Sequence, residues 1–246
     1  GVDVLTMTAT PIPRTLYLGL GGLKDISIIS TAPEGRVPIK TVVMRKDDAV
    51  VREAIVREVA RGGQVYFVHN RVETIQAAVA QLRKLLPDVL IHFAHGQMKD
   101  SELAHIMNEF ANGVFQVLVS STIIESGLDN ARVNTLIVDR ATHFGLAQLH
   151  QLRGRIGRSA RQAYAYFLYN QEDIKGDAGR RLKSIVAKGA LGAGYELSLE
   201  DLDIRGSGNI LGSQQHGSMQ MVGVGYYMRL LEEAVERLKS GETTPL

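Results

Sequence analysis

From residue 39 to residue 168, short apolar runs alternate with segments of helical length. The runs fall at 40–44, 64–68, 89–93, 117–119, 135–138 and 163–168. Asp47 and Asp48 can cap a helix that runs to Arg61, with Val51, Ile55 and Val59 as its apolar stripe and Gly62-Gly63 as its stop. A second amphipathic helix spans 72–86 ahead of Pro87, and a third begins at Asp100-Ser101 and reaches Ala111. Parallel neighbours in a sheet require a crossover connection, usually a helix, whereas antiparallel neighbours need only a tight turn. The alternation therefore predicts an α/β fold, a parallel sheet with helices on both faces.

Polar corners directly follow the apolar runs: Thr8 and Thr10 after a run at 2–7, then His69-Asn70-Arg71, His95-Gly96 and Ser120-Ser121-Thr122. In an open parallel sheet the carboxyl ends of the strands share one edge, where ligands bind. Several polar loops converging on one edge point to a binding surface. A solvated turn is the plain alternative for each corner alone.

Residues 148–158 read Gln-Leu-His-Gln-Leu-Arg-Gly-Arg-Ile-Gly-Arg. Gly154-Arg155 and Gly157-Arg158 are expected about one helical turn apart, so that both guanidinium groups project to one side. Arginine's planar fork suits phosphate oxygens, and two aimed at one point suit the charge that builds on a phosphoryl group in transfer. The alternative is a basic helix end facing the negative end of its own dipole.

The formal charge of +2 over 246 residues does not announce a nucleic-acid binder, so any anion site must be local. There is no cysteine, which excludes disulfides and thiolate metal sites. No metal site is expected. No apolar run is long enough to span a bilayer and no signal peptide opens the chain, so a cytoplasmic protein without membrane contact is expected. The chain begins at Gly1 without methionine, and residues 2–7 already read as a core strand, which suggests a piece of something longer. After Tyr169 the character changes. A linker-like stretch near 170–179 precedes a short helix at 181–190, a loop at 200–217 dense in glycine and polar residues, and a helix at 226–239. A domain boundary is placed at that linker.

Several corners and the basic stretch fall in the order of the motifs of superfamily 2 helicases. Thr8-Ala-Thr10 resembles motif III and Val68-His-Asn-Arg71 resembles motif IV. Ser121-Thr-Ile-Ile-Glu-Ser-Gly-Leu-Asp129 resembles motif V, and the 148–158 stretch resembles motif VI. The family's usual proline after the motif V aspartate is absent, Asn130-Ala-Arg132 standing there instead. Thr8-Ala-Thr-Pro-Ile-Pro-Arg-Thr15 and Phe144-Gly-Leu-Ala-Gln-Leu-His-Gln-Leu-Arg-Gly-Arg155 are similar to two families, the RecG fork-reversal helicases and the bacterial transcription-repair coupling factors. His95-Gly-Gln-Met98, Thr122-Ile-Ile-Glu125 and Ala141-Thr-His-Phe-Gly145 lean toward the coupling factors. Asp203-Ile-Arg-Gly206 through Gly212-Ser-Gln-Gln215 resembles the TRG translocation motif of both.

The resemblance implies a RecA-like fold in three parts: residues 1–36 as the tail of a first RecA-like domain, 37–170 as the second, and 171–246 as a small, mainly helical TRG module. It implies ATP with Mg2+ as fuel and double-stranded DNA as track, with RNA polymerase and nucleotide-excision repair proteins reached through domains outside this chain. Arg155, Arg158 and Gln151 take the catalytic roles, and Gly127 and Asp129 meet the ribose or the arginines. Arg71, His95, Gly96, Ser121 and Thr122 hold the DNA backbone, and Arg205 with Gln215 couples hydrolysis to movement. No Gly-x4-Gly-Lys-Ser/Thr loop occurs, so the chain alone is expected to be inactive, holding half of an ATP site. The rival readings are a fork-remodelling helicase of RecG type, a non-catalytic DNA-binding or regulatory module, and, from the bare fold, a flavodoxin-like binding protein.

Overall fold

The computed structural model of the chain describes residues 37–121 and 130–187, with the single residues Leu5, Met7, Ser27 and Leu197. Strand β1 (Lys40–Arg45) leads to helix α1 (Asp48–Ala60), whose cap Asp47 accepts a hydrogen bond from the Ala49 amide at 2.8 Å. Strand β2 (Gln64–Val68) is buried along its whole length. Helix α2 (Val72–Leu85) stops before Pro87 and buries Ile75, Val79 and Leu82 at helical spacing. Next come β3 (Ile91–Ala94), α3 (Asp100–Ala111), β4 (Val117–Ser120) and β5 (Val133–Val138). A 3-10 turn (Ala141–His143), α4 (Leu146–Arg153), β6 (Tyr164–Tyr169) and α5 (Asp177–Ala187) follow. Each of the six expected strands between 40 and 168 is present, with ends shifted by a residue or two.

All neighbouring strands pair in parallel, in the order β1-β6-β5-β2-β4-β3. Strand side chains alternate between faces. Val65 and Phe67 of β2 pack with Val51 and Ile55 of α1 and with Ile75 and Val79 of α2. Tyr66, between them, turns to the other face, its ring 5.4 Å from that of Phe110 on α3. Helices therefore cover both faces, as the alternation predicts, and the fold is a RecA-like parallel sheet. Crossovers from β1 to β2 to β3 advance across the sheet, and those from β3 onward return. The chain leaves the neighbours β2 and β5 in opposite directions, which opens a crevice between their carboxyl ends.

Glu58 of α1 is fully buried and is held by Arg61 and by the hydroxyl of Thr135 on β5. The backbone runs close beside this carboxylate. A Cβ at residue 63 would collide with Glu58 Oε1, so any larger residue there has to displace the buried carboxylate.

Two expectations from sequence differ from the structure. Leu5 and Met7, expected in a buried strand, are each 85% exposed and lie outside any strand. The helix expected at 181–190 as part of the C-terminal module begins at Asp177 and packs on the sheet-bearing unit, 32–191. The reason is a buried guanidinium: Arg153 Nη1 of α4 donates to the Ile185 carbonyl at 2.8 Å. Arg181 adds a bond to the Thr142 carbonyl at 3.3 Å. Among the described residues no helix is long and apolar enough to cross a membrane.

Replacing Gly63 by alanine forces the Glu58 carboxylate out of its pocket and should cost about 1–3 kcal/mol of folding free energy. Urea unfolding of the chain and of Gly63→Ala measures this; an unchanged midpoint would contradict the close approach.

Candidate nucleic-acid and nucleotide surfaces

Strands β2, β4 and β3 are neighbours, and Val68, Ser120 and Ala94 stand in register across them. The residues that follow, His69, Ser121 and His95, therefore emerge side by side, one strand spacing of about 4.8 Å apart. The His69 amide donates to the Ser120 carbonyl at 2.8 Å and ties two of these corners together. Arg71 is exposed at the N-cap of α2, which has no side-chain cap, and neither does α3 at Lys99. Helix-start amides without a side-chain partner are suited to phosphate oxygens. His95 stacks on Phe93 with ring centroids 6.0 Å apart, Gly96 beside it is exposed, and Ser121 is 8% exposed. His95 Nδ1 and Ser120 Oγ are buried and have no hydrogen-bond partner among the described residues. Arg71, His95, Gly96 and Ser121 thus share one edge. Thr122, Gly127 and Asp129 lie outside the described residues, as do Thr8, Thr10, Arg205 and Gln215.

At the crevice between β2 and β5 the structure shows a cluster that sequence reading did not assemble. The Asp139 side chain, 5% exposed, lies 2.9 Å from His69 Nδ1 and 3.1 Å from Lys46 Nζ. Burial alone would raise its pKa, but the hydrogen bond with His69 and the charge of Lys46 bring it below the ordinary value of 3.8. The carboxylate accepts, so His69 Nδ1 carries the proton, and Nε2 meets Thr74 Oγ1 at 2.8 Å in the first turn of α2. The sequence signal was an aspartate at the end of a buried strand, two residues ahead of the Ala141-Thr-His-Phe-Gly145 resemblance.

The two arginines of the basic stretch are arranged differently from the expected helical pair. Helix α4 ends at Arg153, and residues 154–158 form an irregular turn. Gly157 has φ +69°, and a Cβ there would come within 3.1 Å of both Ala163 and Ile39. Glycine at 157 is what lets the chain leave the helix. Ile39 and Ala163 precede β1 and β6, so this turn is anchored at the amino-terminal edge of the sheet. Arg155 is half-buried, Arg158 exposed, and Gln151 half-buried on α4. The structure therefore separates the basic turn from the corner carrying Arg71, at the opposite edge.

Arg153, which the sequence reading left without a role, is 4% exposed; its Nη2 lies 3.0 Å from His150 Nδ1. Burial lowers its pKa to about 10. His150 is lowered to about 4, by burial first and then by the charge of Arg153. Arg153 follows Leu146 and Leu149 on one buried stripe of α4, a spacing that marks it as an inward residue.

Two guanidinium groups on a turn with a carboxamide on the preceding helix fit the phosphate end of a nucleotide. Among the described residues no group of three or more histidine and acidic side chains could hold a metal ion.

The helicase conserved C-terminal domain model matches residues 46–160. Over its full length the chain is 52% identical to the transcription-repair-coupling factor of Escherichia coli (strain K12), of which it covers 21%. It is 51% identical to that of Bacillus subtilis (strain 168), over 98% of the chain and 21% of the relative. The chain thus spans about a fifth of the length of these curated relatives. A solved structure of RecG bound to a three-way DNA junction superposes with a TM-score of 0.72 at 34% identity, over 94% of this chain and 31% of RecG.

His150 predicts a pH dependence. Its folded pKa of about 4 lies below its ordinary 6.5, so the unfolded chain takes up a proton first as pH falls. Stability should decline between those two values, by about 2 kcal/mol from pH 7 to pH 5. His150→Gln should flatten that part of the curve in urea unfolding at the two pH values; an identical slope would contradict the buried neutral imidazole.

Proposed function

From 52% identity over the full chain to a transcription-repair-coupling factor and the helicase C-terminal match at 46–160, we propose that the chain is the second half of the motor of an ATP-dependent double-stranded DNA translocase that displaces stalled RNA polymerase. The observation that carries this reading is 52% identity without a gap in coverage, from the first residue to the last. On this reading residues 37–170 form the second RecA-like domain, 1–36 end the first, and the TRG module of 171–246 begins with α5, which docks on the sheet-bearing unit. RNA polymerase and the excision-repair proteins are reached through other domains in the cytoplasm. Fork remodelling of RecG type is the second reading, favoured by the 0.72 superposition; 34% identity to RecG against 52% to the coupling factor places it second.

ATP with Mg2+, when bound, supplies the phosphoryl group whose transfer to water drives the motor. Arg155 and Arg158 place positive charge where negative charge builds on that group. Gln151 orients the attacking water or one of the arginines. Gly127 and Asp129 approach the ribose. Arg71, His95, Gly96, Ser121 and Thr122 hold phosphates of the duplex without reading bases, as hydroxyls, helix-start amides and cations do. Arg205 and Gln215 couple hydrolysis to movement. The phosphate-cradling loop comes from another domain, so the chain alone is inactive.

In the full-length protein, Arg158→Ala should lower ATP turnover by about 10³–10⁵-fold with nucleotide affinity largely kept. Equal loss of both would make Arg158 a ground-state binder.

Duplex binding should be indifferent to sequence and weaken steeply with salt, and Arg71→Ala should reduce the salt slope by about 1. Affinities measured across a salt series on two unrelated duplexes test this, and a marked preference for one duplex would count against it.

A further inference from the structure

We propose that Lys46, Asp139 and His69 form a positioning bridge that links the chain segment bearing Arg155 and Arg158 to the DNA-facing corner at Arg71. This rests on the motor reading above and names how its two surfaces communicate. Those surfaces lie at opposite edges of the sheet, so some element has to connect them. Asp139 is the first residue after β5, and the chain runs from it through the 3-10 turn and α4 to the basic turn at 154–158. His69 is the first residue after β2, two positions before Arg71.

The two residues meet at the crevice where β2 and β5 exit in opposite directions, and they are joined twice. The Asp139 amide donates to the Val68 carbonyl at 2.9 Å, and the His69 ring donates to the Asp139 carboxylate at 2.9 Å. The ring continues to Thr74 Oγ1 at 2.8 Å, and Thr74 returns its amide to the Arg71 carbonyl at 3.3 Å. Lys46, from the end of β1, closes the cluster at 3.1 Å. A line of bonded groups thus runs from the residue that ends β5 to the backbone of Arg71.

The segment is also set for a change of direction at this point. Arg140, immediately after Asp139, is the one described non-glycine residue with positive φ, at 51° with ψ 53°. A non-glycine residue is strained there and persists only where its surroundings fix it. Asp139 is held on one side, and on the other the His143 amide donates to the Arg140 carbonyl at 3.0 Å. Loosening the Asp139 clamp frees Arg140 to relax and turns the segment that follows. Movement of that segment against the nucleotide, and movement of Arg71 against the duplex, then share one joint.

The test is ATPase activity of the full-length protein against duplex DNA concentration, for the unaltered protein, Asp139→Asn and His69→Ala, with thermal unfolding alongside. The expected result in both variants is a loss of DNA-stimulated kcat of about tenfold, while the DNA-free rate and the KM for ATP stay within about twofold. His69→Gln, whose carboxamide can still donate to Asp139, should recover most of the stimulation. Stimulation unchanged in Asp139→Asn and His69→Ala would overturn the bridge and leave the motor reading standing. Basal and stimulated rates falling in proportion to lost thermal stability would reduce the cluster to a packing feature. An unaltered protein with no DNA-stimulated ATPase would overturn the motor reading, and the bridge with it.

Discussion

Parallel pairing is the constraint on which everything else in this domain depends. A strand cannot be followed by its parallel neighbour through a tight turn, so each strand is followed by a crossover that returns the chain to the starting edge. Six such strands deliver six carboxyl ends to one side of the sheet. The corners after β2, β4 and β3 then stand in a row because their strands are paired in register. No side chain has to be arranged individually to make that row.

The same topology explains where polar groups can be buried. Between β5 and β2 the connections diverge, and the gap is filled by a carboxylate, an imidazole and an ammonium group. A lone buried carboxylate would be costly, yet Asp139 is partnered on both sides and keeps its charge. Glu58 repeats the solution within α1, with Arg61 and Thr135 as partners and Gly63 leaving the space. Each is a specific polar contact between elements distant in sequence, which favours one register over its neighbours.

Much of the fold was legible because its signals are local. Strand and helix periodicity, Asp47 as a cap and Pro87 as a stop act within a few residues, and the strands they mark between 40 and 168 are present. The corner residues were legible for the same reason: a polar group just after an apolar run must lie at the carboxyl end of a strand. What was not legible depends on contacts between distant positions. The Arg153 bond to Ile185 makes α5 part of the sheet-bearing unit, and a composition shift near 170–179 cannot reveal it. The end of α4 at Arg153 and the left-handed Gly157 beside Ile39 and Ala163 involve residues distant in sequence, whereas spacing alone gives a helical pair of arginines. His69 and Asp139 are 70 positions apart, and neither is distinctive alone.

On the proposed reading, nucleic acid belongs to the carboxyl edge and nucleotide to the turn anchored at the amino edge. Hydrogen exchange of this chain with and without a duplex DNA tests that division most directly. The account predicts protection of amides in 69–74, 95–96 and 121 that exceeds any change in 154–158. Protection confined to 154–158, with the corner amides unaffected, would contradict it.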